Sequence, residues 1–395
     1  MKYDFDTIND RKCFNSVKWN ELKEKFGSDD LVPLWVADMD FKSPQPVIDA
    51  LINAARHGIY GYTRNSDSYY KSIINWMEKR HGWNIDKEWI SVAPGVVTAL
   101  GFIIRIFSQP GEKIIIQPPV YYPFSATIIK NGRQVLNNPL IFKNNKYYMD
   151  YSDLENKLSD SRVKLFILCN PHNPVGRVWS KEELYKLGNL CLKYNVKIIS
   201  DEIHCDIVYP GFKHIPFASI AREFQQNCII CTAPSKTFNL AGLKTSTIII
   251  PNKGLYKSYD NFLDSLHLKR NNYFGLFALE AAYQYGEEWL EQLINYLSGN
   301  LNYLKNFIKE YIPEINLIDP EGTYLVWLDF RKLNLNSMQL SDLLVKEAKV
   351  ALDGGYWFGE EGQGFERINI GCSREILKNG LERIKDAINK FKENK

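Results

Sequence analysis

Three apolar runs each deliver a polar side chain at their carboxyl end. Residues 196–200 lead to Asp201, Cys228–Thr232 leads to Ser235 and Lys236, and Val163–Cys169 leads to Asn170-Pro171-His172-Asn173-Pro174. In an open α/β sheet, ligands bind beyond the carboxyl ends of the strands, so these residues are expected at one crevice. Taken singly each has a plainer reading: Asp201 caps a helix, Lys236 is solvated, and the prolines make a rigid turn. Taken together they meet the needs of one cofactor, pyridoxal phosphate. Its pyridine nitrogen needs an anion, its aldehyde an amine and its phenolic oxygen hydrogen-bond donors.

The phosphate needs a further device. Ser91-Val92-Ala93-Pro94-Gly95 ends an apolar segment just before a helical stretch over 96–107, so Gly95, Val96 and Val97 offer free amides at a helix N-terminus, where the dipole favours an anion. A Pro-Gly before a helix is otherwise only a turn. Tyr121-Tyr122-Pro123-Phe124 follows the run 113–117 at the same edge, where a ring can stack on a flat cofactor; for Phe124 core packing is the alternative.

The elements that must position these residues alternate strand-like and helix-like patterns. Runs 113–117, 163–169, 196–200, 228–232 and 245–250 are rich in Ile, Val or Leu and read as buried strands. Ser180 before Lys181-Glu182-Glu183, followed by Leu184, Leu187, Leu190 and Cys191, predicts a capped crossover helix. The fold class is therefore α/β, with a mostly parallel sheet between helices. Residues 1–45 show little periodicity. Beyond 286, a long helical pattern over 287–309, a strand-like 323–330 and a final amphipathic helix follow. The predicted division is a large domain over 46–286 and a smaller α+β domain built from 1–45 and 287–395.

Composition excludes several classes. At 395 residues, 45% hydrophobic and 24% charged, the chain is a folded protein of more than one core rather than a disordered one. A net charge of +3 with interspersed acids gives no footprint for nucleic acid, and Lys390, Lys392 and Lys395 read as a solvated helix end. No apolar run reaches membrane-spanning length and the first ten residues lack a signal-peptide core, so a cytoplasmic location is expected. The seven cysteines are scattered, which does not suit a disulfide framework. Cys228 and Cys231 have CxxC spacing, but Ile229 and Ile230 between them indicate a buried strand rather than a metal site.

Ser235-Lys236-Thr237-Phe238-Asn239-Leu240-Ala241-Gly242-Leu243 resembles the cofactor-lysine motif of class I and II aminotransferases, the fold-type I pyridoxal-phosphate enzymes. The order of Asn170 to Gly176, Ser200-Asp201-Glu202 and Arg367-Ile368-Asn369-Ile370-Gly371-Cys372-Ser373-Arg374 agrees, so the resemblance spans nearly the whole chain. It implies a seven-stranded-type sheet. Pro33-Leu34-Trp35-Val36-Ala37-Asp38-Met39-Asp40-Phe41, after Ser16-Val17-Lys18-Trp19, is similar to the MalY/PatB group of carbon–sulfur β-lyases. That group implies a homodimer with shared active sites, acting on cystathionine, cysteine or S-substituted cysteines to give pyruvate, ammonia and a thiol.

Carried over by position, the resemblance makes Lys236 the lysine that bonds the cofactor aldehyde and Asp201 the partner of the pyridine nitrogen. Asn173 becomes a donor to the phenolic oxygen and Tyr121 the stacking ring. Lys244 falls to the phosphate, beside the amides of Gly95, Val96 and Val97 already read from the helix start; Ser235 joins the cofactor-binding residues, and Tyr62 reaches the phosphate of the neighbouring subunit. Arg367 would clamp the substrate carboxylate, aided by Ala37, because its planar fork makes two parallel hydrogen bonds. Lys236 is the expected base at Cα, and Lys236 or Tyr122 the proton donor to the leaving sulfur.

Two positions depart from the general aminotransferase pattern. His204 stands where many members have a tyrosine, which favours the lyase group, and Lys244 stands where many have arginine, keeping charge but losing the fork. Two other readings stand beside the lyase. A transaminase shares every step through the carbanion. A non-catalytic regulator of this fold would carry an N-terminal DNA-binding domain, whereas here about 45 residues without a helix-turn-helix pattern precede the central part.

Overall fold

The computed structural model describes residues 2–393. Its main sheet has seven strands in the spatial order Ile90–Ala93, Ser246–Ile249, Cys228–Thr232, Lys197–Asp201, Val163–Cys169, Lys113–Ile116 and Gln134–Asn137. Ser246–Ile249 runs antiparallel to both neighbours, and the other pairs are parallel. All five expected runs are strands of this sheet, with ends displaced by a residue at most. The edge strand Gln134–Asn137 escapes a hydrophobicity pattern because its outer residues are exposed.

Alternate residues of each strand enter different cores, as the pleat requires. Leu165, Ile167, Ile199 and Cys231 pack with Leu100, Ile103 and Ile104 of the helix Val96–Phe107, whereas Phe166, Leu168, Ile198 and Cys228 pack with Leu184, Leu187 and Cys191 on the other layer. Burial on both faces explains the continuous apolar runs. It also places Cys228 and Cys231 on opposite faces of one strand, so their CxxC spacing joins no common site. The crossover helix Lys181–Lys193 carries a full capping box: Glu183 N donates to Ser180 Oγ at 3.2 Å and Ser180 N donates to Glu183 Oε2 at 2.8 Å.

A second, antiparallel sheet orders Asn316–Ile318, Leu325–Asp329, Phe365–Asn369 and Asp353–Gly354, flanked by the helices Glu287–Tyr311 and Arg374–Glu393. Val32–Pro33 pairs with Val350–Ala351, which draws the early residues onto the late ones. The segment after it, residues 34–41, then reaches the carboxyl edge of the main sheet. Lys390 and Lys392 are exposed and pair with Glu347 and Glu314, while Lys395 lies outside the described residues. No helix among the described residues is long and apolar enough to cross a membrane.

Candidate active site

The strand ends meet at one cavity. Its wall contains Ala37, Gly95, Val96, Val97, Tyr121, Asn173, Asp201, His204, Ser235, Lys236 and Lys244, along with Thr98, Cys169 and Thr245. Asp201 is the last residue of its strand, and Lys236 sits in the short helix Pro234–Thr237 just beyond the neighbouring strand. Gly95 caps the twelve-residue helix Val96–Phe107 at φ +113°, a backbone conformation that L side chains rarely adopt. The sharp entry leaves the first amides of the helix directed at the cavity end.

The buried groups of this cavity are short of partners. Asp201 is almost fully buried and accepts one hydrogen bond, from Ile203 N at 3.1 Å; burial lifts its pKa to about 7, against the pull of that N–H and of Lys236. Lys236 donates to the carbonyl oxygen of Ala37 at 2.6 Å, and burial lowers its pKa to about 8. His204 is buried with Nδ1 unpartnered, and burial with the nearby Lys236 and Arg367 cations holds it neutral. A pyridinium would relieve Asp201, an aldehyde would engage Lys236, and a phenolic oxygen would suit the donors nearby. The residues present thus fit pyridoxal phosphate on their own chemistry.

Asn173 is oriented by its neighbour. Arg367 donates from Nη1 to Asn173 Oδ1 at 3.0 Å, and a guanidinium can only donate, so the amide NH2 of Asn173 is left for the cavity. Arg367 itself is buried; Nη2 donates to Trp35 O at 3.0 Å and pairs with the buried carboxylate of Asp353. Its Nε is buried without an acceptor, the condition of a site that takes an anion. Asp353 lies directly opposite Arg367 across two strands. Nothing in the spacing of the two residues pointed to this pair, because the register of the second sheet creates it.

Three expected residues stand outside the cavity wall: Arg367, Tyr122 and Tyr62. Tyr122 is 38% exposed, with its ring edge-on to Phe358 at 5.7 Å and Trp357 at 6.1 Å; burial and Asp353 raise its pKa, so the phenol keeps its proton. Tyr62 is 99% exposed, and the Arg270 guanidinium lies 5.8 Å from its ring centroid. Phe124 is fully buried and belongs to the core, while Tyr121 lines the cavity.

Several contributors were not read from the sequence. Thr237, next to Lys236, donates to Asp206 Oδ2 at 2.7 Å, and Asp206 is held in turn by Trp76 and His81. Asn239 and Asn369 stood inside the quoted motifs without a task. Asn239 Nδ2 donates to Met39 O and Phe41 O, and Asn369 Nδ2 donates to Val36 O and Asp38 O, so both hold the segment that carries Ala37.

The sequence model described as Aminotransferase class I and II matches residues 29–384. The chain belongs to this family. Within the family it is 45% identical to cystathionine beta-lyase PatB of Bacillus subtilis (strain 168), over 97% of this chain and 99% of the relative. Among solved structures it is similar to cystalysin from Treponema denticola, which contains a pyridoxal 5′-phosphate cofactor (37% identity, TM-score 0.96, 99% of this chain and 100% of that one). A PLP-bound structure from Clostridium difficile 630, which carries a provisional aminotransferase name, gives 50% identity and a TM-score of 0.96 over 98% of this chain and 100% of that one. As in its relatives, the fold is the α/β aminotransferase fold and the cofactor is pyridoxal phosphate.

Proposed function

We propose that this chain is a pyridoxal-phosphate-dependent carbon–sulfur β-lyase of the cystathionine β-lyase type. The observation that carries the reading is Lys236: a half-buried amine of lowered pKa, sharing one cavity with buried Asp201, within a chain alike over its full length to a cystathionine beta-lyase. The reaction takes R–S–CH2–CH(NH3⁺)–COO⁻ and water to a thiol, pyruvate and ammonium.

When bound, the cofactor supplies an electron sink for the pair left at Cα. The chain supplies the rest. Asp201 would accept the ring N–H, the Asn173 amide and His204 would serve the phenolic oxygen, and Tyr121 would cover the ring. The amides of Gly95, Val96 and Val97 would hold the phosphate together with Ser235 and Lys244. Arg367 binds the substrate carboxylate beside the backbone of Ala37, which orients the Cα–H bond toward Lys236. With a pKa lowered to about 8, a useful fraction of Lys236 is neutral near pH 7 and removes the Cα proton. The protonated Lys236 or the phenol of Tyr122 then delivers a proton to the departing thiolate.

The active unit in this reading is a homodimer in the cytoplasm, with 46–286 as the large domain and 1–45 with 287–395 as the small one. Exposed Ile59, Tyr60 and Tyr62 give an apolar face suited to a second copy, and Tyr62 would enter the partner's phosphate site. The second reading is an aminotransferase, favoured by the name of the Clostridium difficile relative. Incubation with cystathionine alone, and with alanine plus an oxo acid, separates the two. Pyruvate and thiol in equal amounts without an acceptor is the expected result; turnover that depends on the oxo acid would reverse the order. Lys236→Ala is expected to lose turnover and the visible absorbance of the bound cofactor.

A further inference from the structure

The backbone carbonyls around Ala37 are almost all spoken for. Trp35 O accepts from Arg367 Nη2 at 3.0 Å, Val36 O and Asp38 O accept from Asn369 Nδ2 at 2.6 and 2.7 Å, and Met39 O accepts from Asn239 Nδ2 at 2.8 Å. Asn239 Oδ1 also takes Met39 N at 3.0 Å. Beyond them, Asp40 is held by buried Lys18 at 2.7 Å and by Arg11 at 2.8 Å. Hydrogen bonds on both sides fix the orientation of the peptide planes of this segment. The oxygen between them, that of Ala37, has two donors of another kind: Lys236 Nζ at 2.6 Å and Tyr324 Oη at 3.0 Å.

We propose that the Ala37 carbonyl is a fixed cradle for the free amine of Lys236, and that Tyr324 is a positioning residue that sets how tightly the cradle holds the ammonium form. The proposal rests on the reading of Lys236 as the base. A base that leaves the cofactor needs a station within reach of Cα, and a carbonyl that cannot swing away provides one. An ammonium–carbonyl bond is charge-assisted and stronger than the bond a neutral amine makes, so an undivided carbonyl would favour the protonated lysine. Tyr324 occupies the second lone pair of the same oxygen and weakens that preference. Tyr324 is buried, its ring stands edge-on to His204 at 6.0 Å, and this carbonyl is the acceptor of its hydroxyl.

Other charges facing the amine come from every element around it. Asp38 on the pinned segment and Asp201 at its strand end favour the ammonium, while Arg367 from the second sheet and Lys244 oppose it; buried, neutral His204 lies beside them. Against these opposing charges, the hydroxyl of Tyr324 is a contribution that deleting a single oxygen removes.

Tyr324→Phe tests the idea because it deletes the hydroxyl and keeps the ring. In the full-length cofactor-free chain, trace acetylation of Lys236 by acetic anhydride, followed by peptide mass across pH, is expected to show a midpoint raised by about half a pH unit. In the loaded enzyme the acid limb of kcat is expected to rise similarly with KM within about twofold of the parent. The pH titration of the cofactor's visible absorbance should not move, because Lys236 is then bonded to the cofactor. An acetylation midpoint that stays put or falls overturns the proposal, as does a parallel shift of the absorbance titration, which marks general loosening. The underlying reading is tested apart from this: turnover surviving in Lys236→Ala removes Lys236 as the base, whereas the acetylation midpoint and the absorbance titration decide the cradle.

Discussion

Arg367 and Asn173, 194 positions apart in sequence, share a hydrogen bond of 3.0 Å in which the guanidinium fixes which end of the amide faces the cavity. One arginine thereby serves two partners: the substrate carboxylate it is proposed to bind, and the donor proposed for the cofactor's phenolic oxygen. Asn173→Asp keeps an acceptor for Arg367 but replaces the NH2 with a second oxygen. The expected outcome is a cofactor absorbance titration shifted to higher pH and cofactor retention weaker by about tenfold, read by dialysis and spectroscopy. An unchanged titration would mean that the amide does not face the phenolic oxygen.

Arg367→Lys removes the fork and keeps the charge. The expected result is a rise in KM of about ten- to a hundredfold, with cofactor binding far less affected. Loss of cofactor in step with KM would instead indicate that the change had collapsed the Asn173 contact.

Stability should depend on pH through two groups. In the chain without cofactor, burial raises Asp201 from 3.8 to about 7 and lowers Lys236 from 10.5 to about 8. A carboxyl with a raised pKa contributes stability that is complete below 3.8 and lost as pH climbs through about 7. An amine with a depressed pKa contributes stability present above 10.5 and lost as pH falls through about 8. Between about 7 and about 8 both contributions are spent, and bound cofactor is expected to restore them by giving Asp201 a cation and engaging the amine, as proposed above. Thermal melts with and without cofactor should differ most in that window; a gap independent of pH would contradict the assignment.

Asp201→Asn follows from the same burial. The amide oxygen can still accept the Ile203 N–H, and the buried charge is gone, so the cofactor-free variant should melt about 2–4 °C higher at pH 8. The same variant should lose most turnover, because a neutral amide cannot keep the ring nitrogen protonated. A lower melting temperature would show that the carboxylate was stabilising.

Gly176 ends the loop that carries Asn173. Its φ is +72°, and a Cβ there would sit 2.7 Å from Pro320 Cβ and 2.8 Å from Pro320 Cα. Gly176→Ala is expected to cost about 2–4 kcal/mol in denaturant unfolding and to loosen the cofactor. A cost below about 1 kcal/mol would imply that Pro320 yields easily.

Much of this was legible along the chain because it depends on local pattern. The runs around 163–169 and 228–232 are apolar throughout since both faces of those strands are buried, and Ser180 with Glu183 announces a helix start by hydrogen bonds within four residues. Asp201, Asn173, Lys236 and Gly95 could be nominated because each follows a strand, and strand ends of a parallel sheet share one edge. Residue type and order therefore carried the cofactor, the fold and the family.

The tertiary structure decided what no spacing encodes. The pairing of Asp353 with Arg367 depends on the register of two antiparallel strands, and the bond that Arg367 donates to Asn173 depends on how the second sheet meets the first. The grip of Asn239 and Asn369 on the segment around Ala37 joins residues some 200 and 330 positions apart. Such contacts leave no periodic trace, since hydrogen-bond partners distant in sequence are chosen by packing geometry rather than by local preference. For the same reason the sequence identified Lys236 as a chemical group, while only the folded chain placed its amine on the carbonyl of Ala37.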